Sequence, residues 1–286
     1  MRDATSRKFA GSPEYNTIQK ATAKTYTRRL MRPRICGKTV LAGLSAGLLA
    51  SCSVYVPLQP ATPLLRAKGE AEVTASAYLS GRLEGSAAYS PLNHLVVRAA
   101  GGLTTTQKDS AVFSNRQFEL SLGTYRQLGP EWLVGGSGGY GRGEGHRNFR
   151  LGRAELLSDT TTYRRYAARY HTLFTDIFLA HEGNWSTWGV AYRLSQVRFG
   201  FLTNNGQPVP LRRMTRNEPM VFVRLSNRQG IMRWGQLQLA SSFSWSSDYI
   251  GSSLNSPERA DLKEGRIFTS VGLVIYPHRF GRAADK

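Results

Sequence analysis

The sequence predicts an all-β fold, an antiparallel up-and-down transmembrane β-barrel of about ten strands, with eight strands as the alternative count. Three observations lead to this prediction. Apolar and polar residues alternate with a period of two, turn residues separate the alternating segments, and aromatic residues make up 10% of the 286 residues. In addition, the longest apolar run, residues 39–50, is shorter than the roughly 20 residues that a membrane-spanning helix needs.

The alternation is clearest from residue 236 to residue 249. Small and polar side chains occupy its even positions, and mostly aliphatic or aromatic side chains, such as Phe243 and Trp245, occupy its odd positions. Successive side chains of a strand point to opposite faces of the sheet, so one face is polar and the other apolar. The same pattern predicts strands at 69–79, 83–90, 94–103, 116–127, 131–142, 163–180, 185–200, 218–226, 231–249 and 265–276.

The predicted connections alternate strictly between short turns and longer polar loops, and the loops lie near 104–115, 143–161, 202–216 and 250–264. Short turns on one rim and long loops on the other are typical of outer-membrane barrels. Aromatic residues near the strand ends fit the interfacial girdles of such barrels: Trp132, Trp185, Trp245, Tyr249 and Tyr276. A soluble antiparallel sandwich on a tether, with its apolar face inward, is the alternative.

The N-terminal part of the chain has the features of a processed export signal. Arg32, Arg34 and Lys38 precede the apolar run, and small residues follow it, as in a secretory signal peptide. Export signals begin near the initiator, so translation starts at either Met1 or Met31. The predicted organisation is an over-extended or disordered 1–30, a signal peptide at 31–51, a lipidated Pro-rich tether at 52–68, the barrel at 69–280 and a tail at 281–286.

The junction Leu49-Ala50-Ser51-Cys52 resembles the lipobox of bacterial lipoproteins. The resemblance implies that a signal peptidase recognises Leu49, Ala50 and Ser51, cleaves before Cys52, and leaves covalent lipid on the cysteine. Several acyl chains give a durable membrane anchor. The alternative is an ordinary signal peptide or a buried helix that happens to be followed by a cysteine.

Together with the strands, the residues after Cys52 resemble uncharacterised lipoprotein-type outer-membrane β-barrel proteins of Gram-negative bacteria. This resemblance implies a location in the outer membrane and contact with the barrel-assembly and lipoprotein-processing machinery, but no established activity. The N-terminus is expected on the periplasmic side, because no acidic tract that would signal surface export follows Cys52. The residues that carry the resemblance are Tyr55, Pro57, Pro63, Leu64, Leu65, Gly69 and Glu70.

The net charge of +19 does not indicate nucleic-acid binding. Residues 1–51 hold 10 basic and 2 acidic residues (+8), which leaves 28 against 17 (+11), without a basic run, for the rest. Arginines in the predicted loops would face lipopolysaccharide phosphates if these loops lie outside: Arg142, Arg147, Arg150, Arg153, Arg164, Arg165, Arg212, Arg213 and Arg216.

A second set of charges falls on the polar face of the strands and is predicted to face the lumen. Charges of both signs indicate a cross-linked plug, whereas a selective pore shows rings of one sign. Arg98 is an ambiguous additional member. The predicted lumen network is Glu72, Glu84, Glu119, Asp176, Arg193, Arg224 and Asp248.

No catalytic or metal-binding constellation stands out. The chain lacks the Asp pair and Asp-X-His unit of an omptin-like protease and the His-X-Ser of a lipid A deacylase. The glycine-rich run 135–143 lacks the helix of a phosphate loop and fits close side-chain packing in a narrow barrel. The prediction is therefore a non-enzymatic barrel with a structural or binding role, no metal, and no cofactor beyond the lipid on Cys52. A narrow channel for small solutes, an outer-membrane lipid hydrolase and a soluble binding module are the alternatives, and the oligomeric state stays open.

Overall fold

The computed structural model describes residues 53–108, 111–150, 163–225, 234–247 and 261–280. The predicted signal peptide, Cys52, Asp248, Tyr249 and the tail at 281–286 lie outside these residues. Within the described residues, no helix has the length and apolar character to cross a membrane.

Ten antiparallel strands form a closed barrel wall, in which strands that follow one another along the chain are paired, with β7 paired to β9. The pairing of β1 with β11 and of β6 with β7 completes the circle, while the two-residue β8 extends a hairpin on β7. The predicted ten-stranded up-and-down barrel is confirmed. The strands are β1 (Ala71–Tyr78), β2 (Arg82–Leu92), β3 (Leu95–Lys108), β4 (Ala111–Leu128), β5 (Trp132–Arg150), β6 (Tyr163–Glu182), β7 (Ser186–Asn204), β8 (Gln207–Pro208), β9 (Arg213–Leu225), β10 (Gly235–Ser246) and β11 (Arg266–Ile275).

The two rims of the barrel differ. One rim, which we call the short-turn rim, has the connections 93–94, 129–131, 183–185 and 226–234, and the chain enters β1 and leaves β11 there. The other, the long-loop rim, has the connections 79–81, 109–110, 151–162, 205–212 and 247–265.

Several strands continue beyond their predicted ends towards the long-loop rim. The loop predicted near 104–115 is mostly strand, because β3 and β4 stay paired through it, with Thr104 opposite Asn115. Likewise β5 runs to Arg150 and β9 begins at Arg213. The predicted strict alternation of short and long connections is therefore wrong, since 109–110 is a short connection on the long-loop rim.

The outer face of the wall carries an apolar band. On β4, Phe118, Leu120 and Leu122 are 52%, 55% and 56% exposed, and Arg116 and Arg126 lie on the same face at either end of them. Ten residues at a rise of about 3.4 Å and a tilt of about 40° span about 26 Å, close to the roughly 25 Å apolar band of outer-membrane barrels. The distance between the two arginines thus matches the thickness of a bilayer core.

Aromatic side chains lie near both edges of this band. The rings of Trp132 and Trp188 meet edge to face at 5.5 Å near the short-turn rim, and Phe243 stacks on Trp245 at 5.2 Å near the long-loop rim. The predicted girdle position of Tyr276 is wrong, because this residue is 1% exposed. It shares the parity of the inward residues of β11, and its hydroxyl accepts a hydrogen bond from Arg224.

The glycine-rich run on β5 gives room to aromatic rings inside the barrel. Gly135, Gly139 and Gly143 lie opposite Phe178, Phe174 and Tyr170 of β6, respectively. A Cβ atom on any of these glycines would overlap the facing ring. The run therefore packs against a column of rings.

We predict that Leu120→Arg lowers the free energy of unfolding in phospholipid vesicles by about 2–4 kcal/mol, because it places a charge in the middle of the apolar band. Thr105→Arg is the matched control, since Thr105 is exposed on β3 and lies beyond the band towards the long-loop rim. Urea titration of both variants measures the difference. Equal losses would contradict the membrane assignment of the band.

Candidate functional site

The N-terminal segment Ser53–Leu65, which we call the lumen segment, crosses the inside of the barrel. Each of its residues is buried, and none belongs to a helix or strand. At its start, the carbonyl oxygen of Ser53 accepts a hydrogen bond from Arg147 of β5. Beyond its end, the backbone amide of Lys68 donates to Asn93 at the short-turn rim. Thirteen extended residues at about 3.1 Å each span roughly 40 Å, more than the roughly 30 Å hydrocarbon core.

This position differs from one sequence expectation. The Pro-rich residues after Cys52 were expected to form a tether, but residues 53–65 fill the lumen. The first described residue, Ser53, lies at the long-loop rim, where its hydroxyl donates to the carbonyl oxygen of Leu262. The periplasmic side expected for the N-terminus stays a prediction.

The lumen segment depends on the wall for its hydrogen bonds. A chain that forms no helix and pairs in no sheet leaves its amides and carbonyls without backbone partners, and burial makes each unpaired group costly. Pro57, Pro60 and Pro63 remove three of the amides. Charged side chains of the wall satisfy many of the remaining groups, with arginines bonding to carbonyls and carboxylates to amides.

Arg193 is the centre of this arrangement. Its side chain is 0% exposed and bonds to Asp176 at 2.6 Å and to Glu119 at 2.9 Å. The same guanidinium donates to the carbonyl oxygens of Leu58 at 3.2 Å and Gln59 at 3.3 Å. Asp176 in turn accepts the backbone amide of Ala61 at 3.2 Å. One ion cluster thus holds the segment through both its carbonyls and an amide.

A second cluster lies towards the short-turn rim, around Arg224. This arginine bonds to Glu72 at 2.9 Å and to the carbonyl oxygen of Thr62 at 2.9 Å. Glu72 accepts the backbone amide of Leu64 at 2.9 Å, and Tyr276 accepts from Arg224 at 3.1 Å. This cluster repeats the pattern of the central one: the arginine donates to a carbonyl oxygen of the lumen segment, and the carboxylate accepts a backbone amide of the segment.

A third cluster, around Arg82, lies between the centre and the long-loop rim. Arg82 bonds to Glu84 at 2.9 Å and donates to the carbonyl oxygen of Pro57 at 2.6 Å. Glu84 accepts the amide of Gln59 at 2.8 Å and the hydroxyl of Tyr78 at 2.6 Å. The three clusters follow one another along the segment and leave no long stretch of it without a charged partner.

Apolar packing surrounds the segment at its two ends. Val54 and Tyr55 join a buried cluster near the long-loop rim that includes Tyr166, Tyr170 and Met214. At the other end, Leu64 and Leu65 join a cluster whose members from the wall are Ala88, Val96, Tyr125, Leu133, Phe178, Ala180, Ala191, Met220, Phe222 and Ala240.

The structure places six of the seven predicted lumen charges in these contacts; Asp248 lies outside the described residues. Arg98 also faces the lumen and donates to the carbonyl oxygen of Gln59. Five further buried charges were not predicted in the lumen from the sequence: Arg82, Arg147, Arg216, Glu218 and Lys263.

Two of these residues correct an earlier assignment. Arg147 and Arg216 were expected in outer loops, but they are 8% and 1% exposed because β5 and β9 extend through those regions and turn both side chains inward. The alternation of inward and outward residues continues in the sequence past the predicted strand ends, and this could have indicated that both arginines face the lumen. Arg216 donates to the carbonyl oxygens of Lys263 and Glu264.

The outer face carries a row of basic residues towards the long-loop end of the apolar band, in register with Phe118 of β4. In register across β5, β6, β7 and β9 lie Arg142, His171, Arg198 and Arg213, which we call the basic row. All four are exposed. The next row on the same face towards the short-turn rim contains Tyr140, Leu173, Gln196 and Thr215.

Four of the five described histidines have hydrogen-bond partners other than serine. The hydrogen-bond partners of four imidazoles are known: the carbonyl oxygen of Tyr125 for His94, the Tyr140 hydroxyl for His171, Glu131 for His181, and the backbone of Ala71 for His278. None of these partners is a serine. Within the described residues, no group of three or more His, Cys, Asp or Glu side chains is placed to hold a metal ion.

Comparisons with known proteins give similarity in fold alone. No family model and no curated protein matches the chain. Outer membrane protease OmpT from Escherichia coli is 10% identical, with 73% of this chain and 94% of that chain covered and a TM-score of 0.43. The translocator domain of autotransporter NalP from Neisseria meningitidis is 11% identical, with 84% and 94% covered and a TM-score of 0.40. The N-terminal β-barrel domain of Pseudomonas aeruginosa OprF is 9% identical, with 73% and 98% covered and a TM-score of 0.28.

We predict that Arg193→Met lowers the free energy of unfolding by about 3–5 kcal/mol, because it leaves two buried carboxylates without their cation. Arg198→Met is the matched control, since Arg198 lies on the same strand and is exposed on the outer face; its effect should stay within about 0.5 kcal/mol. Urea titration of the detergent-refolded proteins measures both. A loss in Arg193→Met no larger than in the control would show that the central cluster does not stabilise the barrel.

Proposed function

We propose that this protein is a lipid-anchored outer-membrane β-barrel with a closed lumen and a structural or binding role, without catalysis. The observation that carries the proposal is the lumen segment. It fills the barrel along its length and is held by charged side chains of the wall. A barrel of this construction presents its loops and its outer surface to other molecules, and offers no continuous water path.

The membrane location is supported by the chemistry of the two faces of the wall. Large apolar side chains point outward, and arginines bracket them at the spacing of a bilayer core. The closed sheet satisfies the backbone of the wall internally, as a spanning structure in lipid must. Lipid anchoring is supported by the lipobox-like residues Leu49–Cys52.

The charge balance inside the lumen also favours a closed barrel over the alternative of a narrow channel. The buried charged residues among the described ones comprise five carboxylates, six arginines and Lys263. They are distributed along the lumen in mixed clusters, whereas a selective pore shows rings of one sign. In the three clusters around Arg193, Arg224 and Arg82, these charges bond to one another and to the backbone of the lumen segment, so they are engaged in holding the chain.

We predict that the refolded Cys52→Ala protein, produced without residues 1–51, shows no stepwise conductance in planar lipid bilayers. A variant that also lacks residues 53–65 should conduct, because the ten-stranded wall closes through its own pairing. Heat-modifiability on a gel verifies that each protein is folded. Stepwise openings by the protein that retains the segment would support the channel alternative. If neither folded protein conducts, the lumen segment is not what closes the barrel.

The basic row supports a specific binding partner, the phosphorylated glycolipid of an outer leaflet. Guanidinium groups form strong charge-assisted hydrogen bonds with phosphate. Arg142, Arg198 and Arg213 lie towards the long-loop end of the outer face, in register with Phe118 of the apolar band. A lipid whose acyl chains cover the band would place its head-group phosphates near this end of the band. Lipopolysaccharide has this chemistry.

We predict that the triple variant Arg142→Gln, Arg198→Gln and Arg213→Gln binds phosphorylated lipid A roughly 100-fold more weakly, from about 1 kcal/mol per basic residue at an anionic surface. Binding of the detergent-solubilised barrel to lipid A and to its dephosphorylated form provides the measurement. Arg126→Gln is the control, because this exposed arginine lies at the opposite edge of the band. Equal affinity of the triple variant and the control for phosphorylated lipid A would reject the assignment.

A further inference from the structure

The direction of the lumen segment follows from its contacts, which are ordered along the barrel axis. Ser53 contacts Arg147 and Leu262, near the long-loop rim. The middle of the segment contacts Arg193. Arg66, just after the segment, donates to the carbonyl oxygen of Pro130 in a short turn. The chain therefore enters the barrel at the long-loop rim, passes through it, and leaves at the short-turn rim to begin β1.

We infer that the mature chain begins on the outer surface of the membrane and threads inward through its own barrel. Outer-membrane barrels have their long loops outside and their short turns in the periplasm. Because Ser53 lies at the long-loop rim, Cys52, which is covalently joined to it, belongs to the outer side. The lipid on Cys52 then anchors the protein in the outer leaflet. The lipid part of this inference rests on the proposed function, whereas the threading rests on the described residues alone.

The position of Ser53 along the barrel axis agrees with a mature chain that begins outside the membrane. Its partner Arg147 lies on β5 five residues beyond Arg142 of the basic row, and Asn115, the partner of Val54, lies on β4 beyond Phe118. These strand portions are the extensions that continue past the apolar band. The start of the lumen segment therefore lies beyond the long-loop edge of the apolar band, and the acyl chains of Cys52 reach the outer leaflet from that side.

A periplasmic start of the mature chain would require a different interior. The lumen segment would have to leave the barrel or reverse its direction. In either case Arg193, Arg224 and Arg82 would lose the carbonyls that they now hold, and Leu64 and Leu65 would lose their apolar cluster. The asymmetric fit of the segment thus fixes one direction.

An epitope tag inserted between Cys52 and Ser53 of the full-length chain tests the inference in cells. We expect an antibody to stain this tag on intact cells. The same tag between Asn205 and Gly206, at the long-loop rim, is the positive control. The tag between Asn93 and His94, in a short turn, should be stained only after permeabilisation. Staining of the Cys52–Ser53 tag only after permeabilisation, with both controls as expected, would overturn the inference.

A disulfide tests the threading without any insertion. A Cβ atom on Gly145 would lie 3.3 Å from Cγ1 of Val54 and 2.8 Å from its carbonyl oxygen. After a small shift of the segment, Val54→Cys with Gly145→Cys should form an intramolecular disulfide in isolated membranes, seen as a mobility shift on a non-reducing gel. Val54→Cys with Asn93→Cys, at the opposite rim, should not. A disulfide between residues 54 and 93, with none between residues 54 and 145, would overturn the threading direction. This result does not depend on whether an inserted tag disturbs the path of the segment.

Incorporation of an alkyne-labelled fatty acid separates the two proposals. If a Cys52→Ala chain and the unchanged chain both lack the label, the lipid anchor proposed above fails. The threading still stands in that case if the Val54–Gly145 disulfide forms. If the unchanged chain carries label at Cys52 but neither disulfide nor surface staining follows, lipidation holds and the threading fails.

Discussion

The interior of this barrel depends on one constraint: an extended peptide inside a closed sheet has no backbone partner of its own. The lumen segment forms neither helix nor strand, and its prolines remove only some of the donors. The inner face of the wall is occupied by strands whose amides and carbonyls already pair with each other. Side chains are therefore the available partners, and a carbonyl needs a donor while an amide needs an acceptor. Arginines and carboxylates in alternation meet this need.

This constraint explains charges that are otherwise unfavourable. A buried ion pair costs desolvation, and replacing it by apolar residues is often neutral or stabilising. Here each pair has a third member, the backbone of the segment. Asp176 balances Arg193 and also accepts the amide of Ala61, while Arg193 reaches two carbonyls that no aliphatic side chain could satisfy. An apolar lumen of the same volume would leave these groups unpaired, so the mixed charges select this one path for the chain.

The wall was predictable from the sequence, but the content of the lumen was not. The period-two alternation of apolar and polar residues predicted all ten strands, because each strand has one face towards lipid and the other towards the lumen. On β5 and β9 the predicted strands stopped short of the long-loop rim. There Arg147 and Arg216 continue the inward parity in segments that look like polar loops. For residues 53–65, the prolines exclude a helix but do not identify the partner. Val54, Tyr55, Leu58 and Leu64 were the available signal, since a solvated linker has little need for such apolar side chains.

The filled lumen also constrains how the barrel assembles. A ten-stranded barrel leaves little interior room beyond its side chains. With the lipid proposed for Cys52, a segment joined to β1 at one end and to a lipidated residue at the other could not pass through a finished wall. The segment must therefore be in place before the last pair of strands closes. Among the wall pairings, that of β1 with β11 has six residue pairs, against 19 between β5 and β6, and it joins the most distant parts of the chain, which carries the largest loop-closure cost. Pairing of β1 with β11 is thus the expected last step of closure. Because β1 directly continues the lumen segment, the sheet closes around a chain that the charged side chains of the wall already hold.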